Sequence, residues 1–337
     1  MNSPIIQNRY EFEYYLACTH ANPNGDPDMG NMPRTDPDTM KGIITDGAIK
    51  HRIRDYIQMV FQARPGMGIF VQRGVNLNRL TAETKEAAGV NTADVTKRAI
   101  EASRAKACEL YWDVRTFGAV VSTGPNGGQV RGPVQIAFGE SIDPVRPTDI
   151  GITRVCCADN LNKDSTAADY KAAEDAAPEN ELRTMGRKQF IPFGLYRIHG
   201  FVSANLAEQT GFTEADLLCL FEAMANMYDA TRSASKGMMS VVSPVIIFKH
   251  VGEPGVPADQ AAQSAKLGRA PAHKLFELID CHKKSGIETP SSYHDYECCV
   301  NISGLPRGVE IGFLPSYSQT GITWGKLPDG ETWMTSK

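Results

Sequence analysis

Between His20 and Gly42 the chain carries four prolines, Pro23, Pro27, Pro33 and Pro37, with Gly25, Gly30 and several Asn and Asp among them. Proline fixes φ and has no N–H to donate, so neither a helix nor a central strand runs through this density of it. A loop of more than twenty residues inside a compact domain is uncommon and usually functional. Its flanks are regular. Tyr10–Thr19 is rich in aromatics and alternates at its start, which predicts a strand. Thr45 is a good N-cap, and Ile49, Ile53, Tyr56, Ile57, Val60 and Phe61 recur at helical spacing, which predicts a helix with those residues buried, ending before Pro65. Lys50 and Arg54 stand four residues apart and share a face of that helix, away from much of the apolar stripe.

Further along, residues 64–92 read as irregular and Ala93–Trp112 as a second helix. A strand is expected over Val114–Ser122, a turn-rich loop from Ser122 to Pro133, and a short strand over Val134–Phe138. Ile152–Ala158 reads as a strand opening an insertion that runs to about Gln189, and Ile191–Asn205 resumes β character. Thr213 caps an amphipathic helix to about Asp229, with Leu217, Leu220, Phe221, Met224 and Met227 as core candidates. A Ser-rich basic loop, Thr231–Ser240, leads into an apolar strand, Val241–Lys249. Residues 251–272 read as a loop, followed by a short helix from His273 and strands near Tyr293–Ile302. The order strand, helix, strand, strand, helix, strand, with insertions, is that of a split βαβ, ferredoxin-like sheet, an α+β fold.

The 337 residues suit one large domain or two ordinary ones. No window approaches the ~18 apolar residues of a membrane span, and Met1–Glu13 carries no secretory signal, so a soluble, cytoplasmic protein with no membrane partner is expected. The eight cysteines do not form a disulfide framework. The adjacent pairs Cys156-Cys157 and Cys298-Cys299 would point to opposite faces of a strand, and His294 with Cys298 is a lone pair, so buried structural thiols are expected. Asp26, Asp28, Asp36 and Asp38 crowd the first loop but lack an EF-hand pattern, and Asp before Pro is ordinary turn chemistry. There is no G-x-S-x-G, H-E-x-x-H or Walker motif. No catalytic residue, metal site or cofactor is assigned.

The formal charge is −4, which alone does not announce a nucleic-acid binder. Its distribution is less neutral. Lys41, Lys50, Arg52, Arg54 and Arg64 against Asp46 and Asp55 give +3; Arg183, Arg187, Lys188 and Arg197 give +4; Arg232, Lys236 and Lys249 give +3. Asp164–Glu181, with six acids and Lys171, gives −5. Three basic stretches on an acidic chain point to one local anionic track. Asn22-Pro23-Asn24-Gly25-Asp26 can line a groove, since Gly lets another backbone approach. Arg232-Ser233-Ala234-Ser235-Lys236-Gly237 combines hydroxyls, a glycine and two cations, which suits phosphate contact.

Several motifs then agree in order: Asn22-Pro23-Asn24-Gly25-Asp26-Pro27, Met32-Pro33-Arg34, Thr45-Asp46, Asp113-Val114-Arg115-Thr116-Phe117-Gly118-Ala119-Val120, Gly128-Gln129-Val130-Arg131-Gly132-Pro133-Val134-Gln135, Ser141-Ile142-Asp143-Pro144, Thr184-Met185-Gly186-Arg187-Lys188 and Tyr196-Arg197-Ile198-His199-Gly200. From about residue 9 to about 250 the chain closely resembles the backbone subunit of type I-C CRISPR Cascade, of the Csd-type "Cas-seven" family in the RAMP superfamily. The resemblance implies a non-catalytic subunit with an RRM-like palm spanning 1–337, a finger insertion at about 61–112 and a thumb insertion at about 150–190. Copies would stack head to tail along CRISPR RNA and present its spacer for pairing with a target DNA strand. The other implied partners are the guide-RNA-processing RAMP subunit, the large subunit and the small subunit. The residues expected on RNA are Asn22, Asn24, Arg34, Lys41, Thr45, Lys50, Arg54, Arg131, Arg183, Met185, Arg187, Lys188, Arg232, Ser233, Ser235, Lys236 and Gly237. No RNP1 aromatic motif is present, so RNA is not expected to stack on the sheet face. A competing reading is a metal-dependent ribonuclease of the RAMP type using first-loop Asp residues; a third is an enzyme for a small anionic substrate.

Overall fold

A computed structural model describes residues 3–121, 124–158, 161–178, 181–329 and 333–336. Met1, Ser122 and Glu179, used in the sequence readings, lie outside the described residues. Tyr10–Ala21 (β1) is the predicted first strand. The proline-rich loop folds as a tight hairpin, Gly25–Asp26 (β2) with Met32–Pro33 (β3), and returns as Lys41–Ile44 (β4). Thr45 caps Asp46–Phe61 (α1), its hydroxyl accepting from the Ala48 N–H. The predicted stripe is buried except for Val60, which lies 46% exposed beside exposed Met59 on the last turn.

The segment read as irregular holds a helix, Leu77–Ala87 (α2), which buries Leu80, Thr81, Thr84 and Lys85. A stripe with three of its four residues Thr or Lys gives little apolar contrast, so periodicity missed it. Lys97–Leu110 (α3) follows, then Trp112–Phe117 (α4), where a strand was expected from Val114. All six residues of α4 are buried, so its Val, Thr and Phe record burial rather than a pleated strand. Only Gly118–Val121 (β5) is extended, and it forms a hairpin with Gly128–Arg131 (β6) inside the predicted loop. Phe70, Leu80, Cys108, Val114 and Val130 make a small separate core for this unit.

Val134–Ile136 (β7), Gly139–Pro144 (β8) and Thr148–Arg154 (β9) precede a helix in the acidic stretch, Ala167–Ala176 (α5). Thr184–Val202 (β10) is one strand of 19 residues, starting earlier than the apolar run from Ile191 suggested. Its polar first part pairs with β9 from Thr184↔Arg154 to Phe190↔Thr148, and its apolar remainder pairs with β1 from Ala21↔Ile191 to Tyr10↔Val202. Ala204–Thr210 (α6) and Glu214–Ala230 (α7) come next; α7 has the predicted cap and all five predicted core residues buried. Met238–Val241 (β11) and Val245–His250 (β12) return alongside β1.

The supposed loop 251–272 contains Ala258–Leu267 (α8), built of good helix formers but burying only Ala265. Ala272–Phe276 (α9), Ile279–Lys283 (β13), Tyr296–Val300 (β14), Val309–Leu314 (β15), Thr323–Trp324 (β16) and Met334–Ser336 (β17) complete the chain. The main sheet runs β16-β15-β12-β1-β10-β8-β4, and its pairings are antiparallel. The fold is thus mixed α and β on an antiparallel sheet. Among the described residues no helix is long and apolar enough to cross a membrane.

Both faces of the sheet are covered. Phe12, Tyr14 and Leu16 point into a core shared with α1 and α7. Tyr15 and Ala17 point the other way, into a core with Leu275, Tyr296, Cys298, Val300 and Trp333 from the C-terminal elements. Glu11 and Glu13 are fully buried, and a buried carboxylate is costly unless paired. Glu11 accepts from His250 Nε2 at 2.7 Å. The Arg269 N–H donates to His250 Nδ1 at 2.8 Å, which leaves the proton on Nε2. Glu13 accepts from the Tyr15 hydroxyl at 2.5 Å and pairs with His199 Nε2 at 2.7 Å.

Candidate nucleic-acid interface

Three segments distant in sequence meet beyond the ends of β1 and β4. The first loop closes on itself: the Arg34 N–H donates to Asn24 O at 3.0 Å, and the Asn22 side-chain amide donates to Asn31 O at 2.7 Å. A Cβ on Gly25 would lie 2.0 Å from Asn31 Oδ1, so any side chain there would displace the Asn31 amide. The loop then grips the start of α1, with Asn24 Oδ1 accepting from the Thr45 N–H at 2.9 Å. The basic loop after α7 packs from the other side. The Asn22 N–H donates to Ser235 O at 2.8 Å, and the Lys236 ammonium donates to Asn22 O at 2.9 Å and Pro23 O at 2.8 Å. Arg52 reaches Thr231 O at 3.0 Å.

Asn22, Asn24, Arg34, Thr45, Ser235, Lys236 and Gly237 are therefore brought together. Gly237 has φ of 42°, and a Cβ there would lie 2.9 Å from His20 O, so this close approach of two backbones needs glycine. Ser233 and Arg232 are exposed on the same loop, Arg232 paired with Asp229. Lys50 pairs with Asp46 at 2.8 Å, and Arg54 with Asp113 at 2.8 Å; both cations also lie over the Phe117 ring. Lys41 pairs with Glu140 at 2.7 Å on the neighbouring strand. Arg131 is exposed on β6 in a different groove, with Glu101, Arg104, Gln209 and Thr210.

Burial holds the Lys236 ammonium down at about 8, from 10.5, with the positive charge of Arg52 adding to the effect. Between those pH values the unfolded chain holds a proton that the folded chain has shed, so this group's contribution makes stability rise from pH 8 towards 10.5. We expect Lys236→Met to cost about 1–3 kcal/mol, because two carbonyls lose their donor. Urea unfolding reads the pH term: the gap between wild type and Lys236→Met widens from about pH 7 to about pH 9.5. A constant gap contradicts it.

A second group lies on the β9–β10 ladder. Side chains alternate along a strand, so Met185, Arg187 and Gln189 share one face, opposite Thr153, Gly151 and Asp149. Met185 is 79% exposed. Asp149 accepts from Arg187 and Gln189, each at 3.2 Å. Lys188 belongs to the other face, opposite Ile150, while Arg183 is exposed just before the strand. Alternation separates Lys188 from Met185, a distinction the basic run alone did not make.

Two of the first-loop carboxylates, Asp26 and Asp36, are engaged locally. Asp26 pairs with Arg34 at 3.0 Å and accepts from the Asp28 N–H. Asp36 accepts from the backbone N–H groups of Asp38 and Thr39 and from the Thr39 hydroxyl, and those bonds hold its carboxyl below the usual range. Among the described residues no three of His, Cys, Asp and Glu gather in a metal-binding group.

Sequence reasoning missed Asp113 and Arg115 as a structural hub. Asp113 accepts from the Phe70 and Val71 N–H groups at 2.7 and 3.1 Å as well as from Arg54. Arg115 forks onto Asp216 at 2.7 and 3.1 Å. An Asp and an Arg two residues apart within an apolar stretch were the available signal.

A family model described as CRISPR-associated protein Cas7 matches residues 8–301. A curated protein of Haloferax volcanii, also described as CRISPR-associated protein Cas7, is 27% identical over 217 residues, which span 62% of this chain and 61% of that protein. Chains in two solved structures, described as a CRISPR RNA-guided surveillance complex and the same type of complex before nicking, align with 80% of this chain. The alignments cover 86% of the pre-nicking chain at a TM-score of 0.43 and 80% of the other at 0.40, both at 14% identity.

Proposed function

The chain belongs to the Cas7 family of CRISPR-associated proteins, and from that premise we propose that it is a non-catalytic, guide-RNA-binding backbone subunit of a type I-C surveillance complex. The observation that carries this reading is the convergence of the first loop, the start of α1 and the 231–237 loop. Together they offer hydroxyls, cations and a helix N-terminus to a phosphate backbone. In this reading the β12-β1-β10-β8 part of the sheet is the ferredoxin-like, RRM-like palm, the unit around α2 and α3 is the finger, and the β9–β10 ladder with α5 is the thumb. The C-terminal elements cover one sheet face and the helices the other, so RNA runs along the edge loops, in keeping with the missing RNP1 aromatics.

Copies stack head to tail, using two different surfaces on each, and the RNA sets their number. Sequence is read by base pairing of the guide with a target DNA strand, while protein holds the backbone. The guide-processing, large and small subunits of such a complex are the remaining partners. Met185 wedges beside a displaced base, with Arg187 on the adjacent phosphate. Of the first-loop carboxylates, Asp26 is engaged with Arg34 and Asp36 in a turn.

Salt titration of RNA binding tests the interface. Arg187→Ala is expected to weaken binding to all guide sequences alike and to reduce the dependence on salt by about one charge. A loss confined to particular sequences, or an unchanged slope, argues against it. Asp26→Asn and Asp28→Asn provide the check on catalysis: incubation with target RNA and Mg²⁺ gives no cleavage in wild type or variants. Cleavage lost in either variant would favour the ribonuclease.

A further inference from the structure

Two of the cysteines face each other across a β-ladder. Cys281 on β13 lies directly opposite Cys298 on β14 in an antiparallel register. Both are free thiols, 9% and 2% exposed, on the inner face with Ile279, Tyr296 and Val300. Opposed residues in such a ladder have α-carbons about 4.5–5.5 Å apart. That is inside the roughly 4.4–6.8 Å a disulfide spans. The neighbouring Cys281 thiol and burial together push the Cys298 thiol far up. The other cysteines are placed differently: Cys18 and Cys108 lie in separate cores, and Cys299 points to the opposite face from its neighbour.

We propose that Cys281 and Cys298 are an oxidisable dithiol that closes to a cross-strand disulfide on reaction with a small-molecule disulfide. The Cys281 thiolate, the less buried, attacks one sulfur of the reagent, forming a mixed disulfide and releasing one thiolate. The Cys298 sulfur then attacks Cys281 Sγ, its proton passing to the second thiolate as that thiolate is expelled. The two protons lost by the protein end on the two released thiols, and the electrons reduce the reagent. Access comes through β13, an edge strand of the β13-β14-β17 sheet. The bridge would staple the hairpin and fix the 284–295 connection beside the core that covers one face of the main sheet.

The test incubates the purified full chain with oxidised glutathione, alkylates the remaining thiols and maps peptides by mass. The expected product is one Cys281–Cys298 cross-link with two hydrogens lost, Cys18 and Cys108 staying reduced. Limited proteolysis within 284–295 then slows several-fold and recovers with dithiothreitol. Cys298→Ala abolishes both changes, and Cys281→Ala is the independent second variant. Recovery of Cys281 and Cys298 as free thiols when exposed Cys156 has reacted overturns the proposal, as does a bridge to any other cysteine.

Discussion

Replacing Arg115 with Ala is expected to destabilise the fold by about 3–5 kcal/mol, because it leaves a buried carboxylate without its partner. A domain of ordinary stability has only about 5–15 kcal/mol in all. The Arg115 and Asp216 side chains are 11% and 6% exposed, so solvent screens the pair weakly. Arg115 also donates to the Gly66 and Cys108 carbonyls, while Asp216 closes the capping box of α7 with Thr213. One substitution therefore releases α4, the turn after α1 and the start of α7 together. Arg115→Lys is expected to recover only part of the loss, because an ammonium cannot fork onto both carboxylate oxygens. Urea denaturation measures both; a loss below about 1 kcal/mol for Arg115→Ala would mean the pair behaves like a surface salt bridge.

Removing the far end of the β9–β10 hairpin is expected to uncouple folding from assembly. Replacing residues 155–183 with an Asn-Gly turn leaves the ladder from Arg154↔Thr184 to Thr148↔Phe190 intact. Among its described residues the removed segment has none in the three buried cores, so the unfolding midpoint stays near that of the full chain, and the circular dichroism spectrum loses only the contribution of α5. Ordered arrays on a long guide RNA are lost, and apparent affinity falls roughly tenfold or more, since each copy then binds without its neighbour. Electron microscopy and salt-matched binding curves report the two effects separately. Arrays of normal spacing formed by the shortened chain would remove the thumb from this segment.

How much was legible in the sequence followed from the contrast between polar and apolar positions. Thr45 with the Ile49–Phe61 stripe, and Thr213 with Leu217–Met227, were legible because a cap and a periodic face coincide. α4 was misread because a wholly buried segment has no polar side to reveal its period. α8 was missed for the opposite reason, having almost no buried side. At the candidate site, residue types were legible but their pairings were not. Lys50 and Arg54 read as two cations on one helix face expected on RNA, and only the folded chain pairs them with Asp46 and Asp113. Lys236 read as a phosphate contact, and the structure finds it joining two loops through backbone carbonyls.

The continuity of β10 has a consequence for how such a chain can vary during evolution. Its 19 residues reach roughly 60 Å if fully extended. The same strand orients Met185 at one end and fixes the palm register at the other. Inserting a single residue between Gln189 and Ile191 would leave the Ile191–Val202 pairing unchanged but turn Met185 and Arg187 to the opposite side of the ladder. Changes in length there are tolerated only in steps of two, matched on β9. Among the described residues the ladder does not continue beyond Arg154 and Thr184, so the segment that carries α5 can change in size while the strand still presents the same side chains.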